Sequence, residues 1–538
     1  MATIASVETS PSLLHEKMKK PPSTLSVVIF VGIIVGGLVY CGYNIAQDMG
    51  HVVVVSIWPY ALLALALLIA LGFEFVNGFH DTANAVATVI YTHSLEPHVA
   101  VVWSGLWNLI GVLTSSGAVA FAVVSLLPVE LILQVSSGAG FAMVFALLIA
   151  AIIWNLSTWA FGLPASSSHT MVGSIIGVGI ANQLMSNHSG TAGVDWDQVT
   201  KVFRVLLISP LVGFGAALLL MLLAKWLIKF PALFKAPEGN EPPPFLIRLL
   251  LIGTCTGVSF GHGSNDGQKG MGLIMLILIG TVPTAYALNH TVGASDIVTF
   301  VAISDQASKV LDAHVDKNAV MADPRSDVTA FISSKDFKPE SMGTTIVALR
   351  ELVQDISHEV GLYRELKSVP PGDQQNVRND MYVASTALNM IHKKKTGYFN
   401  PDEDKILTNY QAQLDKSTKF IPLWVKIAVA LALGMGTMVG WKRIVVTVGE
   451  KIGKAHLTYA QGASAELIAM CTIIAADNFG LPVSTTHVLS SGIAGTMVAN
   501  GSGLQWSTLR SIAMAWVCTL PAAALLSGGL FWTFRHLF

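Results

Sequence analysis

The sequence predicts an all-α, polytopic membrane protein, an inverted-repeat transporter with about eleven spans and two broken helices. Three observations lead to this prediction. The 538 residues are 52% hydrophobic and only 12% charged, whereas about a quarter of the residues of a soluble globular protein are charged. The apolar residues come in runs of roughly 20, the length that crosses ~30 Å of hydrocarbon. Two pairs of distant segments also resemble each other, which indicates an internal repeat.

The predicted elements follow one another along the whole chain. An N-terminal tail with an extra transmembrane span occupies residues 1–55, and a first transmembrane repeat occupies 56–235. The second repeat is expected to start at 246–289, to be interrupted by a helical soluble insertion at 290–420, and to continue over 421–538. The predicted spans are residues 25–44, 56–90, 98–122, 138–161, 163–185, 202–224, 246–288, 422–440, 456–476, 480–499 and 508–535.

Two of these spans are too long to be plain helices. Residues 56–90 and 246–288 each carry a Gly- and Asn/Asp-rich interruption near the middle. Such interruptions are typical of the discontinuous helices that line transporter binding sites. The sequence therefore predicts one broken helix in each repeat.

The distribution of charged residues predicts the orientation of the loops and of the insertion. Residues 290–420 are rich in charges of both signs. Clusters of basic residues around Lys229 and Lys451 place those two loops in the cytoplasm, and counting spans from them places the insertion on the other side. The 32 basic and 33 acidic residues nearly cancel, so nucleic acid is not an expected partner. The expected partners are the lipid bilayer and small ions, and the protein could form a homo-oligomer. No cofactor is expected.

Two repeated motifs carry the prediction of inverted architecture. The first pair is His80–Asn84 and Asn265–Lys269. The second pair, Gly162–His169 and Gly480–His487, reads GLPASSSH and GLPVSTTH. Both motifs occur in the same order in each half, and the odd number of predicted spans in each half inverts the second copy. Inverted repeats place the substrate near the bilayer midplane, at their interface.

Asp81 and Asp266 occupy equivalent positions inside apolar spans. A carboxylate there costs several kcal/mol unless it is paired, protonated or hydrated, so such residues are usually functional; capping of a half-helix is the alternative. Asn84 and Lys269 each follow three residues later, on the same helix face. We hypothesise that Asn84 helps Asp81 to hold a mobile cation, whereas Lys269 replaces a bound sodium ion and leaves protons as the coupling ion. A snorkelling lysine is the alternative.

The second motif offers donors for an anion. Proline and hydroxyl residues mark a helix start, where free backbone N–H groups and the helix dipole attract negative charge. Two such starts could surround a tetrahedral oxyanion, although ordinary N-capping is the alternative. The predicted substrate- and ion-binding residues also include Asn265, and the hydroxyl residues are Ser166, Ser167, Ser168, Ser484, Thr485 and Thr486. His169 and His487, which end the two motifs, could relay a proton or bind a metal, or could simply bond a backbone carbonyl.

Electrostatics limits the mechanism. An anion that enters a site with two carboxylates meets a prohibitive repulsion unless cations compensate it. Lys269 offsets one charge, so protons or a divalent metal that arrives with the anion must supply the rest. No metal ligand is firmly assigned, with Asp81 and Asp266 as candidates. Either source of positive charge gives symport.

Three motifs identify a family resemblance. Asn77–Ala85, Gly261–Gly270 and Pro482–His487 resemble the inorganic phosphate transporter (PiT) family, specifically its bacterial low-affinity Pit-type permeases, and the likeness runs from about residue 60 to the C-terminus. The resemblance implies proton-coupled import of phosphate, or of a neutral metal hydrogen phosphate complex, across the bacterial inner membrane. It also implies binding roles for Asp81, Asn84, Asp266 and the Ser/Thr motifs. Many sodium-coupled relatives carry asparagine where Lys269 stands.

Several alternatives remain open from the residues. A transporter of another tetrahedral oxyanion such as sulfate would use the same motifs, and sodium could drive phosphate symport. An intramembrane phosphoester enzyme would use His and Asp as acid and base, but no nucleophile with an attendant base stands out. A channel or receptor on a transporter fold is the last alternative, because fold does not determine function.

Overall fold

A computed structural model describes residues 14, 16–18, 20–49, 58–133, 137–185, 194–239, 241–315, 321–394 and 397–537, with the backbone alone for 59, 82–84 and 130. In these ranges the chain forms helices and one isolated β-bridge. The helices of the membrane part are α1 (Thr24–Asp48), α2 (Trp58–Tyr91), α3 (Pro97–Thr114), α4 (Ala118–Val124), α5 (Val129–Leu133), α6 (Gly138–Ala160), α7 (Ser167–Met185), α8 (Trp196–Leu227), α9 (Phe245–Thr281), α10 (Pro283–Tyr286), α16 (Leu423–Gly436), α17 (Lys442–Glu450), α18 (Tyr459–Asn478), α19 (Thr485–Asn500) and α20 (Trp506–Phe534). The remaining α-helices, α11 (Ala294–Asp312), α12 (Pro324–Ser334), α13 (Pro339–Gly361), α14 (Gln374–Lys394) and α15 (Pro401–Thr418), follow α10, and two short 3₁₀ turns lie at Pro231–Phe234 and Leu366–Ser368.

The predicted breaks in the two long spans are wrong. Each span is one continuous helix, α2 or α9. Their glycines allow neighbouring helices to approach closely: a Cβ on Gly78 would lie 2.2 Å from the Leu433 carbonyl oxygen, and one on Gly263 would lie 2.1 Å from the Asn108 carbonyl oxygen. The polar residues of the motifs are satisfied by other helices, so they do not need an unwound backbone.

The chain instead turns sharply within the second motif of each repeat. The first hairpin consists of α6 and α7, and the second hairpin of α18 and α19. Gly162 and Gly480 adopt φ angles of 66° and 62°, the left-handed conformation that ends many helices. Their N–H groups each donate to the carbonyl three residues earlier, Trp159 and Asp477, at 2.9 Å. The matched sequences therefore fold into matched turns.

The two repeats run in opposite directions. Gly270 of α9 lies against Glu74 of α2, whereas the hydroxyls of Thr88 and Thr254 both donate to the carboxylate of Glu466. Advancing along α2 therefore means going back along α9, so these helices are antiparallel. The first hairpin packs on α20 and the second hairpin packs on α8. The prediction of an inverted-repeat, all-α membrane fold is confirmed.

The count of candidate membrane spans differs from the predicted count. Of the described helices, eight are long and apolar enough to cross a membrane, and the pair α15 and α16, bent by 72°, is a ninth candidate. The predicted set of about eleven also counted α7, α16 and α19. Of these, α16 and α19 have only 14 and 16 residues. The predicted count is therefore not confirmed.

Helices α11 to α15 form a separate helical body with its own apolar core, which includes Phe300, Leu349 and Tyr410. The guanidinium of Arg325 binds Asp380, with one contact at 2.8 Å, and so joins α12 to α14. This carboxylate also raises the pKa of the Arg325 guanidinium. An ion pair between Lys335 and Asp195 connects the insertion body to the membrane part.

Candidate functional site

The turns of the two hairpins meet α2 and α9 near the middle of these helices. Ser166 and Ser484 cap α7 and α19, because their hydroxyls accept bonds from the backbone N–H groups of His169 (3.2 Å) and His487 (3.1 Å). These two serines are therefore N-caps in this structure, and their predicted role in substrate binding stays a prediction. Ser167 and Thr486, in the first turns of these helices, face the aspartates.

Asp81 is held by both hairpins. One carboxylate oxygen accepts from Ser167 of the first hairpin at 2.8 Å, and the other accepts from Thr486 of the second hairpin at 2.6 Å. The neighbouring His80 places Nδ1 3.3 Å from the same carboxylate, and its Nε2 lies 3.1 Å from the hydroxyl of Thr158. Only 3% of the Asp81 surface is exposed. Asp81 is therefore a buried residue that is hydrogen-bonded to the hairpins of both repeats.

Asp266 lies on the other side of the same serine. Its Oδ2 accepts from Ser167 at 3.1 Å and forms an ion pair with Lys269 at 2.7 Å. The Lys269 ammonium also donates to Ser168 at 2.5 Å, and Ser168 donates to the carbonyl of Val483 at 2.8 Å. All of these side chains are buried. The prediction that Asp81 and Asp266 come together at the repeat interface is thus what the structure shows.

The shared serine is short of one proton. A hydroxyl has a single hydrogen, yet the Ser167 oxygen lies within hydrogen-bond distance of a carboxylate oxygen from each aspartate. Two carboxylates and one ammonium also leave a net charge of −1 in a buried volume. Both features favour an additional cation or proton between Asp81 and Asp266.

His262 is a site residue that the sequence reasoning missed. Its Nε2 lies 3.6 Å from Asp266 and 4.0 Å from Asp81, while Nδ1 lies 2.7 Å from the Asn108 amide oxygen. An imidazole bonded in this way through one nitrogen presents the other as a ligand. Ligand atoms of Asp81, His262 and Asp266 lie within 4.8 Å of one another, close enough to hold one metal ion. The spacing of four residues between His262 and Asp266 was the available signal, because it places both on one helix face.

The other predicted residues have different surroundings. Asn265 donates to the carbonyl of Leu481 at 3.0 Å and accepts from the N–H of Val483 at 3.3 Å, so it holds the second hairpin turn. Thr485 is buried at the start of α19. The side chain of Asn84 lies outside the described part of the structure, so its predicted role stays a prediction.

The rings of the two motif histidines lie close together, tilted relative to each other. The rings of His169 and His487 are 4.4 Å apart, and His487 also stacks on Trp516 at 4.0 Å. Two imidazoles this close repel each other when both are charged, so at most one would hold a proton at a time. A proton relay through this pair stays a prediction.

Comparison with known proteins bears on the whole chain. A family model described as "Phosphate transporter family" matches residues 77–527. The low-affinity inorganic phosphate transporters PitA and PitB of Escherichia coli (strain K12) are 42% and 41% identical to this chain, over 88% and 89% of it and 96% and 97% of their own lengths. A solved structure described as "The sodium-dependent phosphate transporter" has a TM-score of 0.48 and 16% identity, with 89% of this chain and 100% of that chain covered.

The matched segment contains the two hairpins, both aspartates and Lys269, and extends well beyond half of the sequence. The extra helix α1 lies outside it. By this match the chain belongs to the phosphate transporter family.

Proposed function

We propose that the protein imports inorganic phosphate by symport with protons across the inner membrane of a bacterium. Its relatives are named as transporters, which agrees with the expectation that the chain is not an enzyme. Both E. coli relatives are named as phosphate transporters. Membership of the family therefore favours phosphate as the substrate of this protein.

The observation that carries the proposal is the buried cluster of polar side chains between the hairpins. Two helix starts, at Ser167 and Thr485, approach a pair of buried aspartates and one lysine. Helix starts and an ammonium attract phosphate oxygens, and the aspartates bind the cations that accompany the anion. A site with groups for an anion and groups for cations suits an anion that binds together with its cations better than an anion alone.

Lys269 is the reason for preferring protons to sodium. Its ammonium occupies the position beside Asp266 that a sodium ion would need, at 2.7 Å from the carboxylate. The equivalent position in the first repeat is Asn84. A covalently attached cation cannot be released with the substrate, so the positive charge that moves with the substrate at this carboxylate must be a proton or a divalent metal.

A divalent metal is a natural companion of the anion. Asp81, His262 and Asp266 would bind it through two carboxylates and one imidazole nitrogen, and a neutral metal hydrogen phosphate would enter without adding net charge. In this view the metal is part of the substrate. Asp81 holds both hairpins, through Ser167 and Thr486, and Asp266 holds the first hairpin through Ser167. A cation that binds the two aspartates therefore competes with the bonds that hold the hairpins.

Uptake by purified protein in proteoliposomes tests the proposal. Radioactive phosphate would be supplied while proton, sodium and magnesium gradients are varied one at a time. We expect accumulation that follows the proton gradient, rises with magnesium and ignores sodium. Uptake that follows sodium alone would contradict proton symport, and accumulation of sulfate in place of phosphate would contradict the substrate. Equilibration without accumulation would indicate a channel.

A further inference from the structure

Glu74 is a buried acid that the site described above does not use. It lies on α2, seven residues or about 10 Å before Asp81 at 1.5 Å per residue, and its side chain has 0% of its surface exposed. One carboxylate oxygen accepts from the Asn77 amide at 3.5 Å. The other, Oε1, lies near the backbone of Gly270 but has no hydrogen bond of normal geometry among the described residues.

The unpartnered oxygen faces the helix that carries Lys269. A Cβ on Gly270 would lie 2.3 Å from Oε1 and 2.4 Å from Cγ of Glu74, so only glycine leaves room for the carboxyl group there. Two charged side chains act on Glu74 across this contact: Lys269 attracts the carboxylate and Asp266 repels it. Lys269 itself is occupied by Asp266 and Ser168. In the described part of the chain, no cation lies within ion-pair distance of Glu74.

An ionised carboxylate in such surroundings costs several kcal/mol, whereas the neutral acid can stay buried. Glu74 is therefore a place where a proton can be stored next to the binding site. We propose that Glu74 binds the proton that is transported with phosphate, which rests on the proton symport proposed above.

The comparison of the two repeats supports this assignment. Alignment of Asp81 with Asp266 pairs Glu74 with Ser259 and Lys269 with Asn84. The repeats thus differ in charge at two positions, an added acid in one and an added base in the other. The fold brings the added acid and base together at the α2 and α9 contact.

A simple exchange follows from this placement. While phosphate is bound, the anion and Asp266 both hold the Lys269 ammonium, so Glu74 has no counter-charge and keeps its proton. After phosphate has left, the ammonium can turn towards Glu74, the O–H bond of Glu74 breaks and the proton passes to water, while Lys269 balances the carboxylate that remains. The reverse steps load a proton and phosphate together for the next cycle.

Glu466 provides a matched control. It is as deeply buried as Glu74, but the hydroxyls of Thr88 and Thr254 both donate to its carboxylate. It therefore joins three helices without an unpartnered oxygen. Substitution of each acid by glutamine removes the titratable proton and keeps the size and polarity of the side chain.

The experiment compares wild type, Glu74→Gln and Glu466→Gln in proteoliposomes. Phosphate exchange at equal pH on both sides reports binding and movement, and accumulation under an inward proton gradient reports coupling. We expect Glu74→Gln to keep exchange and to lose gradient-driven accumulation, while Glu466→Gln keeps its response to the gradient. Accumulation by Glu74→Gln equal to that of wild type overturns the assignment. Loss of exchange together with accumulation in that variant also overturns it, since Glu74 would then serve the fold or the anion site.

An infrared measurement separates this assignment from the coupling itself. The carbonyl band of a protonated, buried carboxylic acid should be present in wild type and absent from Glu74→Gln, and its shift in deuterated water should identify it. If wild type ignores the proton gradient, the proposed symport fails, whereas a spectrum unchanged by Glu74→Gln removes the proton from Glu74.

Discussion

The contact of two aspartates with one serine defines the site at the scale of residues. Ser167 comes from the first hairpin, Asp81 from α2 and Asp266 from α9. Because one hydroxyl hydrogen cannot satisfy both carboxylates, a cation or proton between them would stabilise this arrangement. Substrate cations can therefore control the contact between the hairpin and the two long helices.

The first prediction concerns the two aspartates. Asp81→Asn and Asp266→Asn should each reduce phosphate accumulation by at least about tenfold, the effect of losing one hydrogen bond to a charged group worth ~1.5–3 kcal/mol. The measurement is initial uptake in proteoliposomes, with Asp402→Asn in the exposed first turn of α15 as a control that should behave like wild type. Full activity in either site variant would remove that carboxylate from the mechanism.

The second prediction concerns the choice of coupling ion. Lys269→Asn gives the second repeat the residue that the first repeat has at Asn84 and frees the space beside Asp266. We expect the response to a proton gradient to fall and a dependence on sodium to arise, because sodium can then take the place of the ammonium. Lys426→Asn, which removes a lysine that binds the Ser115 carbonyl, should leave the ion preference unchanged. A Lys269→Asn protein that still ignores sodium would contradict the hypothesis.

At the scale of helices, close packing replaces the predicted breaks. Glycines of α2 and α9 let backbones touch where the repeats cross, at Leu433 and Asn108. The hairpin turns, with left-handed Gly162 and Gly480, supply the irregular backbone that the polar motifs had suggested for α2 and α9. The helix starts that face the aspartates come from these turns.

The third prediction uses two glycines of the same helix. In Gly263→Ala the new Cβ would lie 2.1 Å from the Asn108 carbonyl oxygen, so α3 and α9 must separate at a cost of about 1–3 kcal/mol or more. Gly253→Ala meets no atom within 4 Å and should not destabilise the protein. Thermal unfolding in detergent should show a lower midpoint for Gly263→Ala only. Equal midpoints would mean that the crossing is looser than described.

At the scale of the whole molecule, the length of α8 gives the distance between the insertion body and the basic loops. Its 32 residues span about 48 Å. At its start, Asp195 binds Lys335 of the insertion body at 2.5 Å, and near its end Lys225 donates to the Ala499 carbonyl at 3.2 Å. The insertion body and the loop at Lys229 therefore lie at opposite ends of the membrane part.

The fourth prediction follows from this separation. In a variant without its four cysteines, a single cysteine introduced at exposed Ser368 should react with a membrane-impermeant maleimide from outside intact cells. A cysteine at exposed Lys229 should react only after the membrane is opened, because the excess of basic residues predicts that these loops face the cytoplasm. Labelling of both positions from one side would contradict the orientation and the described length of α8.

The sequence by itself determined the class of molecule, the repeats and most of the site. Apolar runs, the paired GLPASSSH and GLPVSTTH motifs and the equivalent aspartates are local signals, because helix formation and capping depend on residues only a few positions apart. These signals were sufficient to predict that Asp81, Asp266, Lys269 and the serines lie together.

Only the tertiary structure decided how those residues are connected. Ser167 meets Asp81 across 86 positions, and Thr486 meets it across 405, distances over which no local preference acts. The contacts of His262 with Asp81 and of Glu74 with Gly270 also join residues that are far apart in the sequence. Whether a polar residue breaks a helix or is satisfied by a neighbouring one depends on packing between distant segments, and that packing is why α2 and α9 remain continuous.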